Sequence, residues 1–304
     1  MIIQRIGEFI DPDDGMIPES EYPDDLLRNE KFQLAGKRLQ FYNVYRTQMK
    51  LYTHDALIIG SVLLIASIPL IALSGVIDGY IFDTYLQKLG DTGESYAALC
   101  LGLLSLMMAL ISSIVCGPII PNEFRSRTAY LNLPLPQDRQ TFYLGKFFAG
   151  FTVVLCMVLG AFAVVIFLST WKYGGISGNA VLQALAVTMF GTFACCATAF
   201  ALGAFLSKSS TMVPFILLFM IMPMIGLIVT DALQVEGILC YIPCFSGDVA
   251  LSYLGSNYSL SVSMLLPGDN SFFRCIPMMS ILASTIWGIV ALVIGMVRIN
   301  RRDM

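Results

Sequence analysis

The segment "NEFRSRTAYLNLPLPQDR" (residues 122–139) separates two long apolar runs and differs from both in composition. It holds three arginines, a glutamate, an aspartate and two prolines. The chain as a whole is 57% hydrophobic and only 13% charged, against roughly 25% charged residues in typical soluble proteins. A soluble domain cannot bury that much apolar surface, so the composition predicts a multi-span membrane protein interrupted by a polar loop.

Six apolar segments approach the ~20 residues that a membrane-crossing helix needs. They lie at 56–77, 96–120, 147–170, 179–206, 212–230 and 277–297. The segment 231–276 is less apolar and is broken by Pro243, Gly247 and Gly255, so we expect short broken helices at the outer face there. The predicted fold is an all-α polytopic membrane protein with six transmembrane helices, and these make up a transmembrane domain at 56–304.

Two segments precede the first predicted span. Residues 1–35 carry nine acidic against three basic residues and several turn signals, which predicts an acidic cytoplasmic tail. An apolar run that begins near residue 56 starts too late for a signal peptide, so the tail is expected to be retained. Residues 36–55 alternate aromatic and basic residues at helical spacing, which favours an interfacial helix over a plain soluble amphipathic helix.

Lysine and arginine are distributed very unevenly between the two faces predicted for six spans. The face with both termini holds 15 of them, and the other face holds Lys88, Lys172 and Arg274. Because cytoplasmic loops are enriched in these residues, both termini are predicted to be cytoplasmic. The expected location is the plasma membrane, as a multi-pass protein.

Several kinds of chemistry are missing from the sequence. The centres of the predicted spans lack ionisable side chains, which counts against a proton-driven transporter. A sodium-driven one, with sites made of carbonyls and hydroxyls, stays open. The only histidine is His54, and neither an HExxH motif nor a phosphate-binding loop occurs. No catalytic residue and no metal site are therefore predicted, and any ATP that drives the protein must bind another chain.

Small residues recur every four positions in the fourth predicted span. This spacing lets helices approach closely, so it indicates either a dimer face or packing inside the chain, and the sequence does not separate the two. The four residues are Gly191, Cys195, Ala199 and Gly203.

Three of the eight cysteines fall in or next to the broken outer segment. A disulfide could form among them if the segment is extracellular, and three unlinked thiols are an equal alternative. These cysteines are Cys240, Cys244 and Cys275.

The opening segment itself predicts a short helix displayed below the membrane. Pro118 and Pro121 are expected to break the second span near its inner end. Asn122 can cap a new helix with Glu123 in its first turn. This helix would span 123–132, before "LPLPQD" (133–138) ends it and turns the chain. A new helix is expected to start near Asp138 and to enter the membrane through Lys146.

Residues 122–150 resemble a characteristic segment of ABC-2 type permeases, the transmembrane subunits of ATP-driven exporters. There a glutamate precedes a short helix, and a Leu-Pro turn, an arginine and a lysine lead into the third span. Arg127 stands where the family often has glycine, which is a departure. The matching positions are Glu123, Thr128, Leu133 with Pro134 (or Leu135 with Pro136), Arg139 and Lys146.

The predicted architecture resembles the same family, in its type V exporter-like form, over residues 36–304. The resemblance implies that helix 123–132 is a coupling helix seated on a separate ATP-binding cassette ATPase. It implies an ATPase-coupling set: Asn122, Glu123, Phe124, Arg125, Arg127, Thr128, Leu131, Pro134, Arg139 and Lys146.

The same resemblance implies the partners and the division of labour. ATP and Mg would be bound by the ATPase subunit, so this chain would be a non-catalytic permease with no cofactor of its own. A second permease copy or a paralogue would complete a dimer in the lipid bilayer, and no nucleic acid is expected. The alternative functions for the chain are a gradient-driven secondary transporter and a non-transporting assembly or anchor protein. The alternative for segment 123–132 is a basic cytoplasmic loop that only sets the topology.

Overall fold

The structure is a computed structural model that describes residues 40–50, 93–125, 139–206, 212–217, 221, 225 and 277–300. Within these residues all regular structure is helical. The helices are α1 (40–50), α2 (Gly93–Cys116), α3 (Ile119–Arg125), α4 (Arg139–Tyr173), α5 (Gly178–Phe205), α6 (Met212–Ile216) and α7 (Pro277–Asn300).

Three of the described helices are long and apolar enough to cross a membrane. They cover Arg139–Trp171 in α4, Gly178–Phe205 in α5 and Met278–Asn300 in α7, and they coincide with the third, fourth and sixth predicted spans. The 24-residue α2 covers most of the second. The predicted first span, most of the fifth, the acidic tail and the whole of segment 231–276 lie outside the described residues.

One predicted boundary was wrong. The second span was expected to continue to residue 120, but α2 ends at Cys116 because Gly117 and Pro118 form a turn. The helix that leads into the third span was predicted to start near Asp138, and α4 begins at Arg139, which confirms that start. Its first turns are polar in sequence, and Tyr143 and Lys146 in them are buried against other helices.

Helix α5 forms the centre of the bundle and contacts α2, α4 and α7. Alanine, glycine and cysteine make up much of its buried surface, which allows the neighbouring backbones to come close. Its buried hydroxyls are satisfied internally, as Thr188 Oγ1 donates to Ala184 O at 2.8 Å and Thr198 Oγ1 to Ala194 O at 2.7 Å. The helix therefore needs no water to sit in an apolar interior.

Aromatic side chains join α4 to α5 along their shared face. The ring of Phe147 lies 5.5 Å from that of Phe200 and 5.8 Å from that of Phe193, and Tyr143 lies 4.7 Å from Phe200. Tilted and edge-on pairs at these distances add to the burial of apolar area. The two helices are thus fixed against each other near the start of α4.

The outward surface of the bundle is strongly apolar. Trp171 is 77% exposed near the end of α4, and its ring lies 6.1 Å from that of Phe167. Helix α7 exposes large apolar side chains on its outer face, among them Met278, Leu282, Ile286, Ile289, Val293 and Val297. A soluble monomer seldom exposes such a surface, so it fits a bundle surrounded by lipid or by other membrane helices.

Candidate functional site

Regular helix is interrupted between α2 and α3, at the turn formed by Gly117 and Pro118. We call this turn the α2–α3 joint. The amide of Gly117 donates to Ser113 O at 3.2 Å, and the amide of Asn122 donates to Pro118 O at 2.9 Å. Helical hydrogen bonds are therefore present immediately before and after the joint.

The start of the short helix differs from the prediction. Asn122 was expected to cap it, but α3 begins at Ile119, so Asn122 and Glu123 lie inside the helix. Pro121 does not break the chain, because proline is tolerated in the first turn of a helix, where its missing amide hydrogen has no partner to lose. The interruption lies at Gly117 and Pro118, so the prediction of a break is confirmed for Pro118 and wrong for Pro121. The predicted continuation of the helix from residue 126 to residue 132 lies outside the described residues.

An ion pair joins α3 to α4. The carboxylate of Glu123 contacts the ammonium group of Lys146, and the two side chains are only 17% and 5% exposed. Lys146 Nζ also lies 4.5 Å above the ring of Phe142. Removing one member of a pair that is this buried leaves an uncompensated charge, so the contact strongly couples the positions of the two helices.

Helix α5 touches the α2–α3 joint directly through Gly203. A Cβ atom at position 203 would overlap the carbonyl oxygen of Gly117 and would lie 3.4 Å from Pro121 Cδ. On the far side of the joint, Pro214 of α6 comes within 3.3 Å of the position of a Gly117 Cβ. The joint is thus held between two helices, with no room for a side chain at residue 203.

The stripe of small residues on α5 is covered by the chain's own helices. Cys195 and Ala199 are fully buried, and Gly191 and Gly203 are buried as well. Within one chain this stripe serves internal packing, which is one of the two interpretations that the sequence left open.

Helix α1 lies along the first turns of α4. Val44 Cγ1 is 3.0 Å from the position of a Cβ on Gly145, and Tyr45 donates a hydrogen bond to Thr152 Oγ1 at 3.3 Å. Phe41 lies edge-on to Phe148 at 5.9 Å. The apolar face of α1 therefore packs against α4.

The outward face of α1 carries Tyr42, Arg46 and Lys50. Its aromatic and basic side chains fit a boundary between membrane and water. Neither this face nor the packing of α1 shows where the helix lies relative to the bilayer, so its interfacial position stays a prediction.

Helices α4, α5 and α7 meet around Tyr143. Its side chain is fully buried, and its hydroxyl has no hydrogen-bond partner among the residues that the structure describes. The hydroxyl lies against Gly295, where a Cβ would overlap it, and the same Cβ position is 3.1 Å from Ala201 Cα. Nearby, Arg298 is stacked 5.7 Å from the ring of Phe205.

The structure brings part of the predicted coupling set together. Glu123 and Lys146 are in contact, Phe124 and Arg125 complete α3, and Arg139 begins α4. Residues predicted for this set that lie outside the described part are Arg127, Thr128, Leu131 and Pro134.

Sequence reasoning missed four residues of the site, namely Gly117, Tyr143, Gly145 and Gly295. A glycine beside Pro118 was a signal for the turn. The other three carry no signal without the neighbouring helices.

Cys116, Cys156 and Cys196 carry free thiols. The three cysteines for which a disulfide was considered, Cys240, Cys244 and Cys275, lie outside the described residues. Among the residues that the structure describes, no three His, Cys, Asp or Glu side chains are arranged to hold a metal ion.

One family model matches the chain over residues 23–304, and its description is "ABC-2 family transporter protein". The resemblance was expected to start at residue 36. The match starts thirteen residues earlier, inside the acidic tail. No curated protein matches the chain.

Proposed function

The chain belongs to the ABC-2 family of transporter proteins, and from that premise we propose that it is the permease half of an ATP-driven exporter. Membership of the family makes it a multi-pass membrane protein and an ABC transporter permease. Our proposal adds that a separate ATPase binds α3 and the loop that follows it, and that ATP hydrolysis there drives export.

The ion pair between Glu123 and Lys146 carries this proposal. Helix α3 begins directly after the α2–α3 joint, so a displacement of α3 also acts on the joint. Its charged link to Lys146 reaches α4, which continues without a break for 35 residues. A displacement of α3 by a bound partner is therefore passed to a helix that traverses the whole bundle.

A second contact passes the same displacement to α5. Because Gly203 lies directly against the Gly117 carbonyl, α5 cannot stay in place if the joint moves towards it. Packed interfaces of this kind change between discrete arrangements and do not deform continuously. The proposed mechanism is that α4 and α5 rock together when ATP closes the partner subunits.

The described spans contain little that would suit gradient-driven transport. Helix α5 has no charged residue, and α4 has only Arg139, Lys146 and Lys172, all near its ends. Intramembrane carboxylates or histidines usually mark a proton path. This distribution favours an external energy source over a coupled ion.

The other parts of the proposed assembly are those that membership of the family suggests. We propose that two permease chains pair in the plasma membrane with both termini in the cytoplasm, and that the ATPase subunits bind ATP and Mg. The exposed apolar surfaces of α4 and α7 are available for lipid and for the second permease. Catalysis would belong to the partner, so this chain would supply the path and the link to it.

A charge exchange tests the proposed link. The complex is purified gently from its native membrane, and vanadate-sensitive ATP hydrolysis is measured for Glu123→Lys, Lys146→Glu and the double exchange. We expect each single variant to lose ATP-driven transport and stimulated hydrolysis, and the double exchange to regain a large part. Arg298→Glu, a charge reversal on the exposed end of α7, is the matched control and should keep activity.

Two results would count against the proposal. If the double exchange folds but is no better than the single variants, the ion pair does not transmit movement. If no ATPase copurifies and the chain alone transports down an ion gradient, the protein is a secondary transporter.

A further inference from the structure

The outward face of α1 carries one aromatic and two basic side chains in a row. Tyr42, Arg46 and Lys50 recur every four positions, and all three are exposed, Tyr42 by 54%. Residues four apart lie on the same face of a helix, so these three form a continuous stripe, which we call the α1 stripe. The other exposed residues of α1 are the uncharged Asn43 and Thr47, and the Thr47 hydroxyl donates to Asn43 O at 2.8 Å. The stripe therefore presents two cations and a phenol to its surroundings.

The helices around the stripe contain no negative charge. Neither α1 nor α4, against which it packs, has an aspartate or a glutamate, and the sequence has none from residue 31 to residue 54. Glu123 of α3 is in contact with Lys146. The positive charge of the α1 stripe is therefore not neutralised within α1 and α4.

The contacts of α1 place it at one end of the apolar part of α4. Residues 147–171 carry no charged side chain and extend roughly 37 Å at 1.5 Å per residue. The hydrocarbon core of a bilayer is about 30 Å thick, so both ends of this stretch reach the headgroup layers. At the first of these ends, Val44 lies against Gly145 and Phe41 against Phe148. In a bilayer that α4 spans, the α1 stripe thus lies at the level of the headgroups.

We propose that the α1 stripe binds the headgroups of anionic phospholipids. The Arg46 guanidinium can donate two parallel hydrogen bonds to a phosphate, whereas Lys50 acts as a point charge. Tyr42 has an apolar ring and a polar hydroxyl, which suits the boundary between acyl chains and headgroups. A zwitterionic lipid offers the same phosphate with a compensating cation, so the stripe selects lipids with a net negative charge.

Bound lipid would hold more than α1. Because α1 packs on the first turns of α4, headgroups held by the stripe would also fix the start of α4 at the membrane surface. The assignment of these lipids to the cytoplasmic leaflet rests on the orientation given in the proposed function, whereas binding of the lipid does not.

The test compares the lipids that the full-length chain retains with and without each cation. The chain in neutral detergent is equilibrated with equal amounts of phosphatidylglycerol and phosphatidylcholine that have the same acyl chains, and both lipids are measured after repurification. We expect the native chain to enrich phosphatidylglycerol, and Arg46→Gln and Lys50→Gln each to lower this enrichment by up to about fivefold. Lys172→Gln, which removes the same charge at the opposite end of α4, is the matched control and should bind like the native chain. Arg46→Lys keeps the charge and should keep most of the enrichment.

Three results would overturn the proposal. If Lys172→Gln loses as much enrichment as the α1 variants, the lipid responds to net charge and not to the stripe. If the native chain retains both lipids equally, the stripe does not select anionic headgroups. Arg46 is exposed, so Arg46→Gln should melt like the native chain in detergent without lipid. A lower melting temperature would show that another part of the chain, such as the acidic tail, occupies the stripe.

The outcome is independent of the proposed function, because the measurement uses the chain alone. The absence of an ATPase partner would remove the proposed function and leave the lipid site. Equal retention of the two lipids would remove the lipid site and leave the proposed function.

Discussion

Replacing Gly203 with alanine should destabilise the protein, although alanine is the better helix former. The new methyl group would overlap the carbonyl oxygen of Gly117, and Pro121 Cδ at 3.4 Å closes the other direction. Both obstacles belong to the backbone or to a rigid ring, so no side chain can rotate away. Helix α5 must therefore move away from the α2–α3 joint.

The size of the effect follows from two opposing contributions. Exchanging glycine for alanine in a helix stabilises it by about 1 kcal/mol in the absence of contacts, while an added methylene in a packed interior costs about 1–3 kcal/mol. Because the obstructing atom is a carbonyl oxygen of the backbone, we expect the upper part of that range to apply. The net loss should be about 1–2 kcal/mol.

Thermal unfolding in detergent measures this loss, and another glycine supplies the control. Gly160 lies within α4, and a Cβ there would meet no atom within 4 Å, so Gly160→Ala should raise the melting temperature slightly. Gly288→Ala should fall between the two, because the nearest atoms to its Cβ belong to the side chain of Phe193 and not to the backbone. If Gly203→Ala melts as high as Gly160→Ala, the close contact at the joint does not exist.

Three further changes test other contacts. Lys146→Met should lower the free energy of unfolding by about 3 kcal/mol by leaving the buried Glu123 carboxylate without its ammonium partner, and adding Glu123→Gln should restore part of it in the same melts. Tyr143→Phe should raise stability by up to about 1 kcal/mol, because it removes a buried hydroxyl that has no partner among the described residues; a clear drop would show that the hydroxyl is bonded. Tyr45→Phe should cost about 0.5–1 kcal/mol through the lost hydrogen bond that holds α1 to Thr152 of α4, seen as faster proteolysis within α1.

The membrane-spanning character of the chain was readable from the sequence, because hydropathy depends on local composition alone. The predicted fourth span, 179–206, differs by one residue at each end from α5. The turn signals before Asp138 also allowed the start of α4 at Arg139 to be predicted. The burial of Tyr143 and Lys146 was not predictable, because the neighbouring helices that bury them cannot be identified from local hydropathy.

The candidate site, too, could be predicted only in part. Glu123 and Lys146 stood out because charges beside membrane spans are few, and the order of residues resembled the family. Their contact with each other was not predictable, since they are 23 positions apart and a loop lies between them. Gly203 was noticed as part of a spacing pattern. Its contact with the Gly117 carbonyl was not predictable, because Gly117 lies far from it in the sequence and the pattern contains no information about that segment.

The uninterrupted length of α4 has a mechanical consequence. At 1.5 Å per residue, its 35 residues form a rod of roughly 52 Å. A rod that pivots near its middle by about 10° shifts each tip by about 4–5 Å in opposite directions. Lys146 lies near one end of the helix and Trp171 near the other, so a small displacement at Lys146 would move Trp171 sideways. The ratio of the two displacements would depend on where along α4 the pivot lies.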